Sequence, residues 1–133
     1  MSAPKEQGTR WERIVADYAA RRGFPWDRAP LRGTRDLLDI QGCVLDGWLI
    51  GCKSLQRGKT LGIRLSEAMN EAQKAKRNLN GLLPARRGLA ADVIPVQVLQ
   101  RTGHLPGRAY VVMEYDDFLR LAEMRRDWAK EDQ

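Results

Sequence analysis

The chain is poor in the residues that most often carry metal and nucleophile chemistry. Its 133 residues hold one histidine and two cysteines. No C-x-x-C pair occurs, so a structural zinc site has no support. No G-x-S-x-G occurs either, and the lone histidine, His104, falls in a turn bounded by glycine and proline. Serine-hydrolase and thiol chemistry are therefore poorly supported. No apolar run approaches the ~20 residues of a membrane span, and the N-terminus lacks a signal-peptide core. The expectation is no membrane and a reducing cytoplasm, with Cys43 and Cys52 as buried thiols. No strand of the R-G-F-G-F-V type is present, which weighs against an RNA-binding platform.

What is present suits one soluble domain. Hydrophobic residues make up 43% of the chain, and its length allows a sizeable core. The formal charge is +6, and its distribution says more than its total. Residues 1–35 hold eight Lys/Arg against four acids, residues 36–101 ten against six, and residues 102–133 five against seven. The basic excess lies in the first two-thirds of the chain, and a polyanion is the partner it implies. A solvated basic surface is the competing reading.

The stretch from Gly33 to Lys53 reads as a β-hairpin, with arms Leu38–Val44 and Trp48–Ser54 around Asp46-Gly47. A three-residue loop with Gly47 left-handed sets Val44 opposite Trp48. Asp39 then opposes Lys53 and Gln41 opposes Gly51. Alternation puts Asp39, Gln41, Gly51 and Lys53 on one face and Leu38, Ile40, Ile50 and Cys52 on the other. The same register sends Cys43 and Cys52 to opposite faces, which argues against a disulfide.

Around the hairpin, residues 1–8 are polar and unpatterned and read as a disordered leader. A helix follows from about Arg10 to Arg22, with Trp11, Ile14, Val15, Tyr18 and Ala19 at helical spacing. Thr9 to Glu12 forms a capping box that Gly23 balances at the other end. A short strand is expected near Ala29–Leu31. The G-K-T at residues 58–60 is not a P-loop, because the glycine that pattern needs is Lys53. From Lys53 to Arg64 four basic residues meet no acid, which suits a nucleic-acid backbone. A second helix spans about Leu65–Leu79, with Glu67 and Glu71 as solvated surface. Strands follow at Val93–Gln100, where Pro95 suggests an edge or bulge, and at Ala109–Tyr115. Asp116 or Asp117 caps a last helix with Phe118, Leu121, Ala122 and Trp128 inward, and residues 129–133 read as a polar tail. The expected order is α-β-β-β-α-β-β-α, a mixed sheet flanked by helices in an α/β or α+β sandwich.

Glu12, the Asp39-Ile40-Gln41-Gly42 strand and Lys53 together resemble the PD-(D/E)XK nuclease superfamily. The likeness is narrower to its Holliday-junction-resolvase-like branch, often found in phages, and covers about Thr9 to Phe118. That branch carries a helix-one Glu, a D-I-x-G strand, then E-x-K and an amphipathic helix. The resemblance implies a restriction-endonuclease-like domain over residues 9–128 that hydrolyses phosphodiester bonds in branched DNA with Mg²⁺ or Mn²⁺. It implies a homodimer, phage-encoded or cytoplasmic. Asp39 becomes the principal metal ligand and Glu12 a second one, where spacing alone makes Glu12 a capping carboxylate. Lys53 orients water or steadies charge. Arg32, Arg35, Arg57, Lys59 and Arg64 become the DNA contacts.

One element departs from the pattern. Where the E of E-x-K stands, this chain has Gly51, which offers only its backbone carbonyl to a metal. Three accounts follow: an active nuclease with a relocated acid (Glu67, Glu71 or Asp36), an inactivated variant, or a protein that binds branched DNA without cutting it. A basic α/β module that binds RNA or a protein partner is the alternative from another class.

Overall fold

The computed structural model describes residues 3–28, 38–43, 46–54, 61–82, 93–101 and 103–131. Helix α1 (Ala3–Arg21) leads into β1 (Asp27–Arg28), β2 (Ile40–Gln41) and β3 (Trp48–Lys53). Helix α2 (Leu61–Leu82) then crosses to β4 (Ile94–Leu99), followed by a 3-10 turn (Pro106–Arg108), β5 (Tyr110–Val112) and α3 (Tyr115–Glu131). The five strands form one mixed sheet in the order β1-β2-β3-β4-β5, antiparallel except for β3 and β4. A parallel pair needs a long crossover, and α2 supplies it. The chain is thus a mixed α+β domain with three α-helices among the described residues.

Strands β3 and β4 are covered on both faces, and their sequences, W-L-I-G-C-K and I-P-V-Q-V-L, read as the near-continuous apolar runs such strands require. On one face α1 packs Trp11 and Ala16 against Ile40, Ile50, Cys52, Ile94 and Val96. The Trp11 indole donates to the Val98 carbonyl at 3.1 Å, pinning α1 to β4. On the other face α2 lays Ala72, Ala75 and Leu79 over Leu38, Leu49 and Val93. Its alanines let the helix approach the sheet closely.

Several expectations are corrected. Helix α1 begins at Ala3, inside the segment read as a disordered leader, so Thr9 is not its N-cap. Pro4 is tolerated in a first turn and Lys5, Glu6 and Gln7 are good helix formers, so the helix propagates back through them. At its other end Gly23, at φ 95°, donates to Ala20 O while Phe24 donates to Ala19 O, the expected left-handed stop. Helix α2 is longer than Leu65–Leu79 at both ends. In α3, Asp116 and Asp117 lie within the first turn rather than capping it, and the helix runs on to Glu131 through residues read as tail. Its inward residues are Asp117 and Leu121; Phe118 and Trp128 are 52% and 59% exposed. The strand expected near Ala29–Leu31 lies outside the described residues, next to the observed β1.

The hairpin keeps its antiparallel pairing but changes register: Ile40 opposes Ile50, where the three-residue loop required Gln41 opposite Gly51. The connection closes instead where Trp48 N–H donates to Cys43 O, with Gly42 and Gly47 both at positive φ. Leu38 adopts a left-handed φ of 72° and joins the α2 face, not the face of Ile40. Cys43 and Cys52 are free thiols in the same α1-side cluster, not on opposite faces. Pro95 is a local edge residue. Ile94 and Gln100 direct their N–H groups to β3, so the missing N–H of Pro95 falls on the β5 side, before the β5 pairing starts at Gln97.

Leu49 is fully buried between sheet and α2. Leu49→Ala should cost about 2–5 kcal/mol of unfolding free energy, read by urea denaturation.

Candidate functional site

Three segments far apart in the chain meet at the C-terminal end of β3. Glu12 follows the anchored Trp11 on α1, Asp39 stands just before β2, and Lys53 ends β3. The Asp39 carboxylate takes the Cys52 N–H at 2.7 Å, filling the place of a main-chain ladder partner. The Asp39 N–H donates to Ile50 O at 3.1 Å. Asp39 is therefore built into the edge of β3 rather than standing free on a face.

Burial pushes the Asp39 carboxyl from its usual 3.8 up to about 7. The Cys52 N–H opposes that rise, the charge and hydrogen bonding of Glu12 add to it, and Lys53 weakly lowers it. Two carboxylates within hydrogen-bonding reach cannot both ionise cheaply, and a proton or a cation relieves them. Glu12 is also held by Arg28, whose Nε lies 3.2 Å from Oε2. It is not a capping group, because α1 starts about two and a half turns earlier, at Ala3. Burial raises the Cys43 thiol to about 11 and pushes Cys52 up further, so neither is a thiolate nucleophile.

Gly51 and Lys53 share the α2 face of β3, as alternation requires. Lys53 Nζ pairs with Glu71 Oε2 of α2 at 2.5 Å. Glu71 is thus a partner of the lysine in an ion pair that stays partly solvated, its side chain 41% exposed. Gly51 lies level with Gln97 of β4. A β-carbon at position 51 would stand 2.6 Å from Cδ and 2.7 Å from Nε2 of Gln97, and closer still to Oε1. Glycine is there because the Gln97 amide fills that space. Gln97 is 0% exposed, its Nε2 donates to Ala68 O at 2.9 Å, and its Oε1 has no partner.

The Gly51 carbonyl is not a ligand. Ile94 N–H bonds Gly47 O and Gln100 N–H bonds Lys53 O, so odd-numbered carbonyls of β3 point into the β4 ladder, away from Asp39. Of the expected DNA contacts, Arg64 lies in the first turns of α2 with its Nε buried and unpartnered among the described residues. Arg32, Arg35, Arg57 and Lys59 lie outside the described residues, as does Asp36. Glu67 is exposed on α2.

Among the described residues no three His, Cys, Asp or Glu side chains are grouped to hold a metal ion. The donors at the site are two carboxylates; the unpartnered amide oxygen of Gln97 lies two strands from Asp39, on the α2 face. Oxygen donors of this kind suit a hard divalent cation and not zinc. Sequence reasoning missed Gln97 and the Arg28–Glu12 pair. The signal for Gln97 was the lone polar residue between valines in a strand buried on both faces. No protein-family model, curated protein or solved structure matches the chain.

The raised Asp39 has a consequence for stability. The folded state holds a proton that the unfolded chain releases near pH 3.8, so the contribution of Asp39 is full below that pH and lost as pH rises through about 7. Asp39→Asn should flatten this fall in the thermal midpoint between pH 4 and pH 7.5, measured without divalent cations.

Proposed function

We propose that the protein is a divalent-metal-dependent DNA endonuclease of the PD-(D/E)XK type, resolvase-like, that hydrolyses phosphodiester bonds in branched DNA. The observation that carries this reading is the meeting of Glu12, Asp39 and Lys53 at one strand end, with a part-buried carboxyl held well above its ordinary range. Perturbed acids of this kind gather where chemistry is done.

In this reading Asp39 and Glu12 hold Mg²⁺ or Mn²⁺. The bound ion supplies Lewis acidity and a water acidic enough to attack phosphorus. Asp39 is fixed by the Cys52 amide, and a cation would take the place of the proton it shares with Glu12. Lys53 exchanges Glu71 for the scissile phosphate and steadies the charge that develops there. Glu71 supplies from α2 the acid that position 51 lacks. Exposed Arg10 and Arg13 on α1 and Lys74 and Arg77 on α2 extend the basic surface along which a duplex arm lies. A homodimer belongs to the same reading, favoured by the large apolar residues left open on α3, and so does a phage or host-cytoplasm setting.

A second reading, a non-catalytic basic module that binds nucleic acid or a protein partner, is favoured by the lack of three grouped metal-ligating side chains among the described residues. Cleavage of a four-way junction with Mg²⁺ or Mn²⁺ decides between them. Asp39→Asn should abolish cleavage while leaving DNA binding intact or tighter, and Lys53→Met should slow cleavage about 100-fold. Full activity in Asp39→Asn would falsify the nuclease site. Binding itself should weaken steeply with salt as phosphate contacts release counterions; a flat salt response in a fluorescence titration would favour the protein-partner module.

A further inference from the structure

At the end of the sheet where β3 and β4 finish, Lys53, Leu99 and Tyr110 stand in one row, each the Cα partner of the next. Partners on adjacent strands present their side chains to one face, so Lys53 and Tyr110 share the α2 face. Two strand spacings separate them, about 10 Å between main chains. We propose that Tyr110 is a stacking platform for an unpaired nucleobase of the strand whose phosphate Lys53 meets. This rests on the nuclease reading above and deepens it, because it names the part of the substrate that is recognised: a base released from the stack close to the point of cleavage. It calls on Lys53 alone among the site residues and on no contact with Asp39 or Glu12.

Tyr110 is 57% exposed, on the last strand of the sheet. The Arg101 guanidinium lies over its ring, 4.3 Å from the centroid. Arg101 is itself tied to the turn, since Nη1 donates to Arg108 O at 3.1 Å. One face of the ring is thus backed by a fixed cation, and the exposed remainder is open to a second planar group. A base laid there completes a stack of guanidinium, phenol and base, the combination that holds single strands on protein surfaces.

The charge around the ring suits the same ligand. From Val93 to Met113 the sequence has no acid, and Arg101 and Arg108 stand at the two ends of the turn that leads into β5. The acids nearest by chain and contact are already engaged, Glu71 by Lys53 and Glu114 by Gln73. A purely apolar partner would cover these two arginines without pairing them. A nucleotide offers a π-face to the ring and a phosphate to the cations.

Stacking of this kind is indifferent to base identity, because every base has a π-face. It is not indifferent to DNA structure. In a continuous duplex each base is stacked on its neighbours and none is presented to a side chain at the surface. A fork or a branch point supplies the free base, while the duplex arm along α1 and α2 is held through its phosphates.

The test compares a forked duplex with a continuous duplex of the same sequence, bound to the full chain without divalent cations so that nothing is cut. A fluorescent adenine analogue occupies the first unpaired positions of the fork, and its emission reports stacking. The wild type should bind the fork more tightly than the duplex and change the analogue's emission. Tyr110→Leu keeps an apolar side chain on the edge strand and removes the ring. It should weaken fork binding about 10-fold, abolish the emission change and leave duplex binding as it was. Tyr110→Phe should keep all three properties. Should Tyr110→Leu fold poorly, Tyr110→Thr, a good strand former without a ring, decides in its place. The platform is overturned if the ring-less variant binds the fork as the wild type does, or loses fork and duplex alike. It is equally overturned if that variant changes only the sedimentation mass, which would make Tyr110 a protein contact. In each of these cases the nuclease reading stands as long as junction cleavage still depends on Asp39. If the wild type binds neither DNA at low salt, both readings fail.

Discussion

The constraint on which the rest depends is the two-sided burial of β3. It is bonded to β2 on one edge and β4 on the other, with α1 over one face and α2 over the other. Each of its six residues then has two fixed directions, one for the side chain and one for the main chain. Ile50 and Cys52 point side chains at α1 and main-chain groups at β2. Leu49, Gly51 and Lys53 point side chains at α2 and main-chain groups at β4. The site inherits this division. Asp39 takes an amide that faces β2, Lys53 reaches a carboxylate on α2, and Gly51 meets a side chain from β4.

Holding Asp39 in that position is unfavourable for the fold in three ways at once. Leu38 is driven to a left-handed φ of 72°, which a branched apolar residue resists. A side-chain oxygen stands in for a main-chain partner of β3. A second carboxylate, Glu12, is brought against the first inside a desolvated corner. An apolar residue at position 39 would relieve only the last, and would leave the Cys52 N–H without its acceptor. Concentrated local conflict of this sort marks a place where the sequence serves something other than folding. Nothing comparable surrounds His104, which lies exposed in its turn.

The sequence made the sheet and its alternation legible because period-two patterns are short-range. Ile40, Ile50 and Cys52 were separable from Gly51 and Lys53 on pattern alone, and both proposed acids and the lysine do converge. Register was not legible, because it depends on a connection with two left-handed glycines, Gly42 and Gly47, where one was expected. The inward face of α3 was misread for a related reason. Its apolar residues run round the helix, and only the position of the sheet makes Leu121 inward while Phe118 and Trp128 stay open. The start of α1 was obscured by a plausible capping box at Thr9 that the longer helix overrides. Gln97 stood out in its strand, but its meaning needed the β3–β4 register, which no local pattern carries.

That register also changes what Gly51 signifies. Against the E-x-K pattern that the sequence resembles, the glycine reads along the chain as an acid lost. Loss of a side chain by itself leaves a void that its neighbours line. Here there is no void at position 51: the Gln97 amide occupies it and is tied to α2 by a hydrogen bond of 2.9 Å. Glycine and glutamine fit one another as a pair, since the glutamine could not lie across β3 if residue 51 carried even a methyl group. Two coupled choices on adjacent strands describe a matched packing pair rather than the loss of one side chain. The same pairing explains why an acid restored at position 51 alone would disturb the fold: it would have to displace a fully buried amide and leave the Ala68 carbonyl without its donor.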